Sequence, residues 1–438
     1  MNHTGAVRSP AAAKDVLRLS LQALPVLAAE PLYVLVDTAV VGRLGPVPLA
    51  GLAVAGVLFA QVTTALNFLS YGTTARSARL HGAGRRSDAV VEGVQATWVA
   101  LVVGLAVLGI GQLVARPVAD ALGDGGAVAD AAVSWLRTAL FGAPLILMTL
   151  AGNGWMRGVQ DTARPLRYVL VGNGFSAALC PVLVHVVGWG LEGSAVANLV
   201  AQVIVASLFL RALLKEGVSL RPRLDLIRAQ LSMGRDLIVR TAGFQACFLS
   251  ATAVAARFGP QTVAAHQIVL QLWTFQSLVL DAVAIAAQAL VGAALGAGGA
   301  DEAKGVGGQV TRYGLWLGIG FGVLFAALFP VLPRLFTDDA QTLATIPQAW
   351  WFFVALQPVA GVVFALDGVL LGAGDAAYLR TTTWLAAVLG FLPLIWISLA
   401  LGWGLVGIWT GLALFMLVRL AAVGLRSRSG RWAVTGVR

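Results

Sequence analysis

The sequence predicts an all-α polytopic membrane protein: twelve transmembrane helices in two six-helix lobes related by a parallel pseudo-two-fold repeat. Three observations lead there. The 438 residues are 58% hydrophobic and only 11% charged, with a mean hydropathy of +0.84, a surface that an ordinary soluble domain could not cover. Apolar runs of about 20 residues, the length a helix needs to cross the hydrocarbon core, recur along the whole chain. The two halves also superpose on one another at a single fixed offset.

The runs fall near residues 19–41, 49–71, 89–112, 132–153, 165–187, 194–214, 236–256, 263–291, 306–332, 347–371, 378–401 and 403–425. The first follows Arg8, Lys14 and Arg18 and reaches Ala28 and Ala29, imitating a secretory leader. It continues through Asp37 to Val41, long enough to span, and the repeat needs it as a helix. With the N-terminus in the cytoplasm, all but five of the 30 Lys and Arg fall on the inner side, the exceptions being Arg43, Arg116, Arg137, Arg257 and Arg334. Positive-inside sorting therefore places both termini in the cytoplasm of a multi-pass cell-membrane protein. It also accounts for the net charge of +10 without nucleic acid, since no basic stripe with interleaved aromatics is present.

An offset of 214 residues aligns Thr38, Ala39, Val40, Arg43, Gly45, Pro46 and Ala50 with Thr252, Ala253, Val254, Arg257, Gly259, Pro260 and Ala264. Pro144 recurs as Pro358, and Gly154, Gly158 and Asp161 recur as Gly368, Gly372 and Asp375. The run GWGLEG from Gly188 recurs as GWGLVG from Gly402. Six helices per half is an even number, so both halves enter the membrane from the same side. The expected organisation is a lobe over 1–214, a charged cytoplasmic linker helix over 215–235, and a second lobe over 236–438.

A charge kept in one half alone breaks the symmetry and becomes a candidate for function. Asp37 corresponds to Ala251 and Glu30 to Phe244. The two acids lie seven positions apart, on one helix face. An ionised carboxylate near a bilayer centre costs roughly 3 kcal/mol or more, so it faces a wet cavity or a partner. Asp37 is thus the expected proton or cation site, since proton and substrate cation can compete for one carboxylate; its alternative is a structural carboxylate satisfied by hydroxyls and amides. Glu30, Tyr33, Asn173, Asn198 and Gln202 are candidate cavity or substrate residues. Asp281 and Asp367 correspond to Asn67 and Asn153, and these four read as polar posts near the inner helix ends.

Other polar groups carry less. Cys180 and Cys247 lack metal-ligand spacing and read as packing residues. His185 and His266 read as satisfied packing histidines, and Arg240 as snorkelling to the inner surface. No metal site and no cofactor are expected. No HExxH, GxSxG, Walker A or dinucleotide fingerprint is present. The GAGD at Gly372–Asp375 has a mate reading GVQD at 158–161, which favours a turn over an aspartyl-protease motif.

The stretches EPLYVLVDTAVVGRLG, LDAVAIAAQALVGAALGAG (280–298) and LDGVLLGAGD (366–375) resemble the MATE family, multidrug and toxic compound extrusion, in its DinF-like branch. The resemblance covers essentially the whole chain. It implies a V-shaped pair of six-helix lobes, and export of organic, mostly cationic or amphipathic compounds in exchange for protons or sodium ions. Asp37 matches the first-helix aspartate to which that family assigns cation coupling, and Asn173 resembles the asparagine beside it. Some relatives carry a second carboxylate where this chain has Ala177. Other branches use a seventh-helix glutamate and a tenth-helix aspartate, whereas the seventh helix here has only Asp236 at its start. Proton coupling through Asp37, in a monomer, is the preferred reading. The alternatives are a sodium-coupled exporter, a lipid-linked saccharide flippase, which would need cationic side chains in its cavity, and, without motif support, an intramembrane enzyme.

Overall fold

A computed structural model describes residues 9–123 and 126–436, without the side chains of 9–13, 30, 122 and 123. Among the described residues every regular element is helical. The first half contains α1 (Ser9–Gly42), α2 (Pro46–Leu66), α3 (Phe68–Gly82), α4 (Arg86–Gly123), α5 (Gly126–Leu140), α6 (Ala143–Gly158), α7 (Ala163–Pro181) and α8 (Gly190–Lys215). The second contains α9 (Leu224–Arg257), α10 (Pro260–Gly296), α11 (Ala300–Leu328), α12 (Ala340–Thr345), α13 (Pro347–Gly372), α14 (Ala376–Ala386), α15 (Leu392–Leu401) and α16 (Gly404–Ser429). Among the described residues eleven helical spans are long and apolar enough to cross a membrane, and α5 with α6, bent by 49° at their junction, make a twelfth. Outward-facing side chains such as Leu113 and Val186, each 80% exposed, suit contact with lipid rather than water.

The chain divides into two units, Gln22–Gly234 and Arg235–Gly436, the start of α1 up to Leu21 grouping with the second. The charged stretch expected as a linker helix has two parts. Residues 216–223 are not helical, and Leu224 already opens α9. The non-helical part is fastened to α4: Gln95 donates to the Arg221 carbonyl at 3.1 Å and accepts from the Arg223 amide at 2.7 Å, while Trp98 donates to the Leu220 carbonyl at 2.9 Å.

Inside each unit the helices meet through small residues, because close backbone approach is what holds helices together where the surrounding lipid is as apolar as their side chains. The repeat keeps these contacts. A methyl group placed on Gly154 or Gly158 of α6 would stand 2.7 Å from Thr73 Cβ or 2.5 Å from Ser77 Cβ of α3. On their mates Gly368 and Gly372 of α13 it would stand 2.3 Å from the Ala284 carbonyl oxygen or 2.5 Å from that of Gln288, both on α10. A methyl group on Gly104 would stand 2.4 Å from Pro144 Cα, and one on its mate Gly318 would stand 2.4 Å from the Gln357 oxygen and 2.8 Å from Pro358 Cα. Gly45 and Gly259 open α2 and α10 at φ of +118° and +104°, a backbone region that L side chains rarely adopt. The GAGD motif is the turn that its mate suggested: α13 ends at Gly372, Gly374 has φ of +76°, and Asp375 accepts from Arg426 Nε at 2.7 Å.

The halves differ where helices break. The second transmembrane helix of the first unit is interrupted at Asn67, whereas its counterpart α10 is continuous. The α5–α6 bend has no equivalent in α13, which carries Pro358 inside an unbroken helix. Two π-turns, Val182–Val186 and Ala387–Phe391, fall at positions that are not equivalent in the repeat.

Gly318→Ala should destabilise the protein by about 1–3 kcal/mol, because the new methyl meets backbone that cannot yield. Gly320→Ala, two positions along the same helix with nothing within 4 Å, should be neutral or stabilising by up to about 1 kcal/mol. Thermal unfolding of the purified variants in detergent checks the pair, and equal melting temperatures would contradict the packing account.

Candidate functional site

Asp37 lies on α1 with 4% of its surface exposed. Its Oδ1 accepts from the Cys180 thiol of α7 at 3.3 Å, and Ser194 of α8 also interacts with the carboxylate. Ser194 in turn accepts from the Trp135 indole at 3.0 Å. One turn before Asp37, buried Tyr33 lies near Ser176 and Asn198, yet the Tyr33 and Ser176 hydroxyls have no partner in hydrogen-bonding geometry. Among the described residues no Lys, Arg or His pairs with Asp37. The site is one carboxylate in a pocket of neutral thiol, hydroxyl and amide groups.

Helical spacing explains the convergence. Asn173, Ser176 and Cys180 recur at i, i+3 and i+7 along α7, and Ser194, Asn198 and Gln202 at i, i+4 and i+8 along α8, so each set forms one stripe. Cys180 and Ser194 therefore escape a reading by residue type but follow from asking what shares a face with Asn173 and Asn198. The thiol is not the inert packing group expected of it. Of the named candidates, Asn198 comes to the Tyr33–Asp37 pair. Asn173 and Gln202 are half-buried on the same stripes, Gln202 lying beside the α5–α6 junction at Gly142. The Glu30 side chain lies outside the described residues.

The four polar posts have different fates. Asn67 is exposed at the α2–α3 break, Asp281 is half-buried on α10, and Asn153 is buried with Oδ1 unpartnered. Asp367 is the centre of an ion cluster: its Oδ2 accepts from Arg240 Nη2 of α9 at 2.5 Å and from Arg419 Nη2 of α16. Arg240 thus turns inward to a carboxylate rather than snorkelling to the surface. Arg419, 2% exposed, is a second buried cation that the sequence reading passed over, along with Arg79 and Arg157 in the first unit, 4% and 6% exposed. The first unit also buries Glu92, held bidentately by Arg76 at 2.6 and 2.9 Å and by Gln230 at 2.9 Å. His185 meets the Val40 carbonyl at 3.0 Å. His266 packs on Trp409, but both ring nitrogens lack the partner expected of them.

Tandem six-helix units, with a buried acid private to the first, are the architecture of a polytopic membrane transporter. The chain belongs to the MatE family, whose model matches twice, over residues 24–182 and 237–397, one match to each half of the repeat. It is 33% identical to "Protein DETOXIFICATION 44, chloroplastic" of Arabidopsis thaliana over 95% of this chain and 83% of that one. It is 29% identical to "DNA damage-inducible protein F" of Escherichia coli (strain K12), over 92% and 90%. Among solved structures, an outward-facing multidrug resistance MATE family transporter of the MOP superfamily superposes with a TM-score of 0.88 at 20% identity, over 95% of both chains. That likeness shows the two-lobe, twelve-helix fold.

Replacing Asp367 by Asn leaves Arg240 and Arg419 buried together without a countercharge, and breaking a buried pair from one side costs about 3–5 kcal/mol. Asp367→Asn should therefore lower the melting temperature in detergent sharply, whereas Asp37→Asn, which breaks no ion pair, should leave it nearly unchanged.

Proposed function

We propose that this MATE-family transporter exports small organic cations or amphiphiles from the cytoplasm in exchange for protons, with Asp37 as the group that carries the proton. The observation behind this reading is the pairing state of two buried acids. Asp367 is locked by two guanidinium groups, so protonating it would break both ion pairs. Asp37 has none to break. It can gain or lose a proton while the Cys180 thiol and the Ser194 hydroxyl reorient, each able to donate to the ionised form. In the cycle, Asp37 is ionised while solute is held and is protonated from the outer side as solute leaves, which makes the two binding events mutually exclusive.

The chemistry of the surroundings favours a proton over sodium. A hard cation takes several oxygen ligands, carboxylates among them. Here Asp37 Oδ1 is met by a sulfur atom, the Cys180 thiol, and Ala177 stands where a second carboxylate would be needed. The charge distribution supports cytoplasmic termini, with net outward transport driven by protons entering down their gradient. Export, as opposed to lipid flipping, is supported by the names of the relatives and not by a scarcity of buried cations, since Arg240 and Arg419 are both inside.

Purified protein in liposomes, given an imposed pH gradient or an imposed sodium gradient, tests this with a fluorescent cationic dye. Wild type should move dye in response to the pH gradient alone. Asp37→Asn should abolish that movement, a loss of at least tenfold, while the protein remains folded. Normal dye movement by Asp37→Asn would remove Asp37 from the mechanism, and a response only to sodium would replace the ion.

A further inference from the structure

At the Asp367 cluster the second unit sets two guanidinium groups against one carboxylate. Arg240 and Arg419 share the single oxygen Oδ2 of Asp367. The other acids on the helices that carry them are occupied elsewhere: Asp236, one turn before Arg240, is held by Arg380 at 2.6 Å and by Arg235 at 3.1 Å, and Asp225 by Arg223 at 3.0 Å. Asp375, just beyond α13, is held by Arg426. Within this cluster two guanidinium groups share one carboxylate, and an incompletely paired ion is costly in apolar surroundings.

The donors are also left over. Nε of Arg240 and Nε of Arg419 are both buried without a partner, as is Oδ1 of Asp367. Each guanidinium nonetheless has a fixed orientation: Arg240 lies 5.4 Å and Arg419 4.9 Å from the centre of the Phe244 ring, and Arg419 lies 5.8 Å from that of Phe415. Exposure is graded across the cluster, with side chains of Arg240, Asp367 and Arg419 at 15%, 7% and 2%. Arg240 is therefore the most exposed member of the cluster. A planar donor fork beside an aromatic ring, incompletely paired, is matched by an oxyanion carried on an amphipathic body.

We infer that Arg240 and Arg419 form a subsite for the carboxylate, or a similar oxyanion, of an amphipathic or zwitterionic solute, with Phe244 contacting its apolar part. The subsite rests on the reading of the chain as an exporter of organic solutes and narrows their class. The unpaired Oδ1 of Asp367 accepts an N–H or O–H of the same solute. Nothing in the first unit's carboxylate site supplies this selectivity, since Asp37 would repel such a group when ionised.

Equilibrium binding in neutral detergent, with no ion gradient, tests it with two probes that differ in one group: a rhodamine bearing a free benzoate and the same rhodamine as its methyl ester. Wild type should bind the acid roughly tenfold more tightly than the ester, the scale of one charge-assisted hydrogen-bonded pair. Arg240→Gln should bring that ratio close to one by weakening the acid alone, and Arg240→Lys, which keeps the charge but loses the fork, should retain part of it. Asp37→Asn, which removes a negative charge that repels the benzoate, should not lower the acid's preference, so a failure of proton coupling and a failure of this subsite are told apart. Equal binding of acid and ester by wild type would overturn the inference, as would an equal loss of both probes in Arg240→Gln. If Arg240→Gln does not fold, the wild-type ratio together with Arg240→Lys decides the matter.

Discussion

The constraint on which the rest of this molecule depends is the cost of an ion removed from water. In an apolar unit each buried charge must be neutralised, hydrogen-bonded or left able to change its protonation. The protein uses all three solutions. Glu92 is neutralised by Arg76 and braced by Gln230. Asp367 is neutralised twice over by Arg240 and Arg419. Asp37 is met by the Cys180 thiol and the Ser194 hydroxyl, groups that hydrogen-bond without carrying charge. The first unit thus contains a buried acid with no ion pair among the described residues, and the second a carboxylate shared by two guanidinium groups.

Those two polar centres sit on a scaffold that duplication has kept almost intact. The glycines that bring α6 onto α3 are the mates of those that bring α13 onto α10, and the Gly104–Pro144 contact recurs at Gly318 and Pro358. Because a glycine packed on backbone tolerates no side chain, these positions fix helix spacing before any functional residue is placed. Divergence includes side chains such as Asp37 against Ala251 or Asp367 against Asn153, packing positions such as Gly152 against Leu366, and local breaks such as Asn67 in the helix matched by continuous α10.

The fold class was legible because hydropathy and a gap-free repeat are properties of sequence alone, and all twelve expected spans have helical counterparts, one of them bent. The position of Asp37 was legible for the same reason, as a charge breaking an otherwise apolar pattern. Its surroundings were not. Which residue of α7 meets α1 depends on the rotation of two helices about their axes, so a cysteine that looked inert supplies a hydrogen bond, and Asn198 rather than Asn173 comes to Tyr33. Arg419 was passed over because one basic residue near the end of a long apolar run looks like a flank until a partner 52 positions away is brought beside it. The surroundings of the linker were not legible either: its charge suggested solvent, whereas the backbone of its non-helical part is fastened to α4 by Gln95 and Trp98.

The two π-turns have an evolutionary corollary. A wide turn delays a helix by about one residue, near 100° of rotation, and the turn comes at 387–391 in one half but at 182–186 in the other. Between the equivalent positions the two copies keep the same residue count but are out of phase, and beyond the later turn they fall back into step. Cys180 and its counterpart Leu394 lie in that interval. A shared ancestral position is thereby aimed in two directions, so the duplicated helix could acquire a new lining in one copy without any insertion or deletion to disturb the remainder of the chain.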